Sequence, residues 1–176
     1  LTYFAFSILK EGNASQINLH YFILFGLNGL LSFLSIILIY IYEKVFGLVS
    51  DVTLLELSNT NTKLLRELNE RAPGTFQHSM QVANLAEAAA NEIGANSMLV
   101  RTGALYHDVG KMVNPMYFTE NQTTEANPHH ELSPRDSAKT IIDHVINGVE
   151  IAKKYNLPDR IIDFIRTHHG TSTTYY

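Results

Sequence analysis

The sequence predicts an all-α protein: a transmembrane helix and a connecting helix followed by a helical bundle. Three observations carry that prediction. Residues 21 to 42 read YFILFGLNGLLSFLSIILIYIY, without a charged side chain. From residue 47 onward, apolar side chains recur at spacings of three and four, the period of a helix. Beyond Pro73 no segment alternates convincingly as a strand.

A chain of 176 residues suffices for one domain plus an appendage. Its net charge of -4 offers no basic field, so a nucleic-acid polymer is excluded as a partner and any phosphate ligand must meet local cations. There is no cysteine, which removes disulfides and thiolate metal sites, and eight histidines leave imidazole as the metal ligand to examine. The chain opens on Leu1 and closes on Tyr176, and a fragment of a longer protein is expected.

The elements follow in chain order. Residues 1–18 are expected to be the end of a preceding span, LTYFAFSIL, and a polar loop, KEGNASQIN. Residues 19–46 are expected to form a transmembrane helix. The 22 uncharged residues from Tyr21 to Tyr42, at about 1.5 Å each, match the roughly 30 Å hydrocarbon core of a bilayer. Tyr21 at one end and Tyr40 and Tyr42 at the other sit where an aromatic belt would lie. No basic n-region or small-residue cleavage site frames the segment as a signal peptide. Gly26, Gly29, Ser32 and Ser35 form a stripe that suits close helix approach or simply reflects membrane composition. Lys10 and Lys44 balance across it, so the positive-inside rule gives little orientation.

Residues 47–72 are expected to form a connecting amphipathic helix. Leu54, Leu57, Asn61, Leu64 and Leu68 make a short heptad seam with an Asn at a core position. Such a seam suits a homodimer through residues 54–68, and equally a helix lying on the domain that follows. Pro73 and Gly74 end it.

Residues 73–176 are expected to be the bundle. A helix from about Thr75 to Ile93 carries Val82, Leu85, Ala86, Ala89 and Ile93 on an inward stripe shared by His78. Ser97 is expected to cap the second helix, which runs to His107-Asp108 and stops before Gly110. After an irregular stretch, Ser133-Pro134-Arg135-Asp136 reads as a helix start. That helix holds His144 among Ile141, Val145, Gly148 and Ile151. A last helix begins near Asp159 and ends with His168-His169 before Gly170.

A single histidine on an apolar face is ordinarily a core residue bonded to a backbone carbonyl. Here four helices each place a histidine on or at the end of the packed face. Burying five imidazoles and a carboxylate together is costly unless something binds them, and a divalent metal does so. Lys111, just after the His-Asp turn, suits either a cation against phosphate or a solvated loop lysine. His129-His130 lies outside the series and reads as substrate rim or plain surface.

The ordered series His78, His107-Asp108, His144, His168-His169 resembles the HD-domain phosphohydrolases. With RAPGTFQHSMQVANLAEAAA, YHDVGKM, FTENQ, NPHHELSP and HVINGVEIAKKYNLP, the chain looks most like their seven-transmembrane, PgpH-type group, which hydrolyses cyclic di-AMP in bacteria. The resemblance covers nearly the whole chain. It implies a multi-pass protein of the bacterial inner membrane with a cytoplasmic HD domain, C-terminally truncated here. It also implies two divalent ions, manganese or iron, that activate a water against a cyclic dinucleotide. Asp108 would bridge them, with His78 and His107 on the first and His144, His168 and His169 on the second. A further Asp of the family's first site would lie beyond Tyr176. The HD-GYP group is disfavoured because His168-His169 runs into Gly170-Thr171. Another HD-family nucleotide phosphohydrolase, or a non-catalytic nucleotide-sensing membrane protein, remains the alternative.

Overall fold

The computed structural model describes residues 5–6, 9–10, 19–123 and 127–170, and every regular element among them is helical. The expected span end and polar loop over 1–18 fall outside the described residues, apart from short helical pieces at 5–6 and 9–10. The chain divides into two compact units at Leu48/Val49, taken separately below.

The first unit is dominated by helix α1, Leu19–Phe46. Its 28 residues correspond to about 42 Å of helix. Side chains along it face outward, with Leu30 and Phe33 among the most exposed. From His20 to Phe46 the helix is long and apolar enough to cross a membrane. The Ser35 hydroxyl donates to Ser32 O at 2.7 Å, so its polar group is satisfied within the helix.

The second unit contains α2 (Asp51–Leu57), α3 (Lys63–Arg71), α4 (Pro73–Glu92), α5 (Ser97–Tyr106), α6 (Pro134–Lys154) and α7 (Asp159–Thr167). Between α5 and α6 the chain makes four 3₁₀ turns, Val109–Val113, Pro115–Tyr117, Thr119–Asn121 and Pro128–Glu131. The α5 helix packs against both α4 and α7, and α6 packs against α7 and the first 3₁₀ turn.

The connector departs from the expected continuous helix: it breaks over residues 58–62, Ser-Asn-Thr-Asn-Thr. Short polar side chains there compete with the helix for backbone groups. Ser58 Oγ donates to Leu55 O, and Asn59 Oδ1 accepts from Asn61 N. Leu54, Leu64, Leu65 and Leu68 are buried in a core shared with Leu105, Tyr106, Val109, Ile161, Ile162 and Ile165. Each such leucine withdraws apolar surface worth about 1.5–3 kcal/mol from water. Three leucines of the seam, Leu54, Leu64 and Leu68, thus serve this chain's own core. Tyr106 fastens the break, its hydroxyl donating to Leu57 O at 2.9 Å and lying 3.2 Å from Thr62 Oγ1.

Two further expectations need correction. On α4 the buried face is Thr75, Ser79, Ala83 and Ala90, whereas Leu85 and Ile93 are 73% and 80% exposed. The helix lies close to its neighbours through small side chains, while Phe76, Met80, Val82 and Ala86 pack partly buried against the core. The cap of α5 is Asn96, whose side chain accepts from Leu99 N at 2.9 Å, and Ser97 is the first helical residue. At α6 the expected start holds, with Ser133 Oγ accepting from Asp136 N.

Candidate metal centre

The His-Asp turn is set by backbone contact with α6. Gly110 lies against it so closely that a Cβ there would come 1.8 Å from His144 O and 2.5 Å from Gly148 N. No other residue fits that approach. The contact brings Asp108, 2% exposed, beside His144, 3% exposed. The end of α7 adds His168 and His169, and α4 adds His78 from its second turn.

All six expected ligands converge. Asp108 Oδ2 lies 3.1 Å from His107 Nε2 and 3.9 Å from His78 Nε2. Its other oxygen, Oδ1, lies 3.4 Å from His144 Nε2 and 3.5 Å from His168 Nε2. His169 Nε2 is 3.3 Å from His144 Nε2. The donor atoms fall into two groups, His78 with His107 and Asp108, and His144 with His168 and His169. Within each group they lie within 4.8 Å of one another.

Three of the rings are oriented in the same way. Nδ1 of His107, His144 and His168 donates to the carbonyl three residues earlier: Ala104 O at 2.7 Å, Ile141 O, and Ile165 O at 2.9 Å. That bond holds the proton on Nδ1 and leaves the Nε2 lone pair facing inward. The Nε2 atoms of His144 and His168 are 3.3 Å apart. Two lone pairs at that distance repel unless a cation lies between them. The donor set thus fits divalent metal ions: imidazoles that present Nε2 inward around an ionised carboxylate.

The electrostatics differ from residue to residue. Burial alone would raise the Asp108 carboxyl, but the His107, His144 and His168 rings hold it far below the usual carboxylate range. Burial, then the charges of His168 and His144, push His169 below the ordinary histidine value, toward the neutral form that ligates. His107 is raised despite burial because of Asp108.

Lys111 is not a solvated loop lysine. Its Nζ lies 2.8 Å from Asp108 Oδ2 and 2.8 Å from Glu120 Oε1, with the side chain 15% exposed. Burial works against its charge, but Asp108 and Glu120 raise it above the ordinary lysine value. Phe118 packs its ring edge-on to His144 and lies 5.0 Å from the lysine ammonium. Glu120 and Phe118 both lie in the stretch FTENQ that carries part of the resemblance, but the sequence assigns neither a role. His129 is hydrogen-bonded within the protein at both ring nitrogens. Its Nε2 donates to Tyr117 O at 2.8 Å, and its Nδ1 pairs with Ser137 Oγ at 2.6 Å. It pins the loop to α6.

Comparison with known proteins follows the same lines. Residues 75–175 match the HD domain family. Over 136 residues the chain is 49% identical to cyclic-di-AMP phosphodiesterase PgpH of Listeria monocytogenes serotype 1/2a (strain 10403S), covering 77% of this chain and 19% of that protein. It is 48% identical over 131 residues to cyclic-di-AMP phosphodiesterase PgpH of Bacillus subtilis (strain 168), covering 74% of this chain and 18% of that one. The crystal structure of the L. monocytogenes phosphodiesterase PgpH HD domain in complex with cyclic-di-AMP aligns with a TM-score of 0.65 at 51% identity. That alignment covers 67% of this chain and 55% of the crystallised one. The chain thus spans 18–19% of the length of these two curated relatives.

Proposed function

The chain belongs to the HD-domain family, and from that premise we propose that it is part of a membrane-anchored, metal-dependent phosphodiesterase that opens cyclic di-AMP to linear pApA. The observation that carries the reading is Asp108, whose two oxygens face two different histidine groups. The substrate is proposed from the two relatives, each a cyclic-di-AMP phosphodiesterase, and from the matched crystal structure, which contains that dinucleotide.

On this reading His78, His107 and Asp108 would hold one ion and Asp108, His144, His168 and His169 would hold a second, with manganese or iron the proposed metal. Such ions, when bound, make a water acidic enough to ionise near neutral pH and offset charge on the phosphoryl oxygens. Hydrolysis breaks one bond between phosphorus and a 3′ oxygen. The water oxygen goes to phosphorus and a proton goes to the departing 3′ oxygen. The chain's own contribution is geometric and electrostatic. The carbonyls of Ala104, Ile141 and Ile165 keep three rings in one tautomer, and Lys111 adds a fixed positive charge beside Asp108 Oδ2. The α1 helix is proposed to be one span of a multi-pass protein in the bacterial cell membrane, with the second unit on the cytoplasmic side.

The test is Mn²⁺-dependent hydrolysis by the protein extended past Tyr176, with cyclic di-AMP assayed beside cyclic di-GMP. Conversion of the first to pApA, abolished by Asp108→Ala, is expected. Equal turnover of both, or activity that survives the substitution, would overturn the proposal.

A further inference from the structure

Glu120 lies in a loop and outside both histidine groups, yet it is held in place by the start of α4. A Cβ on Gly74 would lie 1.8 Å from Glu120 O, so the turn Thr119–Asn121 rests directly on the helix's first turn. No side chain at Ala72 caps α4. Asn121 does so from a distance, its Oδ1 accepting from Thr75 N at 3.0 Å. Asn121 Nδ2 donates to Thr75 Oγ1 at 2.7 Å, and Thr75 Oγ1 donates to Glu120 Oε1 at 3.1 Å. Thr75 and Asn121 are 0% and 8% exposed, so this anchor is part of the core. It delivers the Glu120 carboxylate to Lys111 Nζ, which stands 2.8 Å from both Glu120 Oε1 and Asp108 Oδ2.

We propose that Glu120 is a positioning residue that keeps Asp108 Oδ2 available to the His78 and His107 group by giving Lys111 a second counter-charge. The inference rests on the metal reading above. Oδ2 is the oxygen those two histidines share, and the ammonium of Lys111 is already in contact with it. A largely buried ammonium whose only anion was Asp108 would compete with any cation for that oxygen, because leaving it would strand a charge. With Glu120 at equal distance, Lys111 stays paired when Oδ2 is taken. Glu120 thus acts through Lys111 and has no contact with a bound ion.

The test measures Mn²⁺ binding to the full chain by equilibrium dialysis and paramagnetic resonance, with no substrate present. The unsubstituted protein, carrying the further first-site Asp that the family resemblance places beyond Tyr176, is expected to bind two ions. Glu120→Gln weakens one of them by about tenfold or more, within the range for outer-sphere partners of metal ligands. Glu120→Gln combined with Lys111→Met restores the affinity, because the competitor is gone. Lys111→Met alone tightens the same ion. Unchanged binding in Glu120→Gln overturns the inference. So does a loss that persists in the double variant, since a merely structural Glu120 would not be rescued by removing a lysine. Failure of the unsubstituted protein to bind metal would overturn the metal reading first, and it is recognised before any substitution is made. Failure to hydrolyse cyclic di-AMP with binding intact would leave this inference standing and remove only the substrate.

Discussion

Asp108 is where the account can be tested one side chain at a time. Its carboxylate is almost wholly buried, and imidazoles approach both its oxygens. Asp108→Asn preserves shape and removes charge. Both ions should be lost, with affinity falling beyond the roughly 10- to 100-fold that outer-sphere partners are worth, as a metal count after dialysis would read. His129→Ala makes the opposite case. Both ring nitrogens are engaged with Tyr117 O and Ser137, so chemical denaturation should show about 1–3 kcal/mol lost while two ions stay bound. An ion lost at unchanged stability would place His129 in the site instead. The ligand series was legible because each member stands where an apolar residue or a simple helix stop was due. The roles of Glu120 and Asn121 were not, although FTENQ enters the resemblance, because polar residues in a loop are commonplace. Their shared partner Thr75 is 45 and 46 residues away in sequence.

At the level of elements, the site depends on how closely the His-Asp turn sits on α6. Gly110→Ala would drive a methyl into the His144 carbonyl, against backbone that has little room to yield. A cost of at least about 1–3 kcal/mol is expected in urea unfolding, with weakened metal binding at the His144 group. The break between α2 and α3 carries a second expectation. Asn61 is exposed in a turn, so Asn61→Leu should leave the sedimentation behaviour unchanged, whereas Leu65→Ala should cost about 2–5 kcal/mol. A change of oligomeric state in Asn61→Leu would revive the heptad seam. Sequence periodicity found the helices and the cap at Ser133, but only part of the inward face of α4, where Val82 and Ala86 pack against the core. Leu85 and Ile93 share the period of a core stripe, yet the close packing falls to Thr75, Ser79 and Ala83. The connector misled for a related reason. Heptad spacing runs through residues 58–62, while the local hydrogen bonds of Ser58 and Asn59 end the helix there.

For the molecule as a whole, the two units pose different physical problems. An apolar helix with exposed Leu, Ile and Phe along its length is poorly matched to water and well matched to lipid. The protein should stay with the membrane pellet through alkaline extraction. Leu31→Arg with Leu34→Arg should release it, each arginine costing about 2.5–3.5 kcal/mol at the centre of a span. Retention of the double variant would argue that α1 is not what anchors it. The proposed chemistry falls to the second unit, where one aspartate would join two imidazole groups into a single metal cluster. Crystals grown with Mn²⁺ test this most directly through anomalous scattering. Two peaks flanking Asp108 are expected, one against His78 and His107, the other against His144, His168 and His169. A single peak, or manganese bound away from Asp108, would contradict the account.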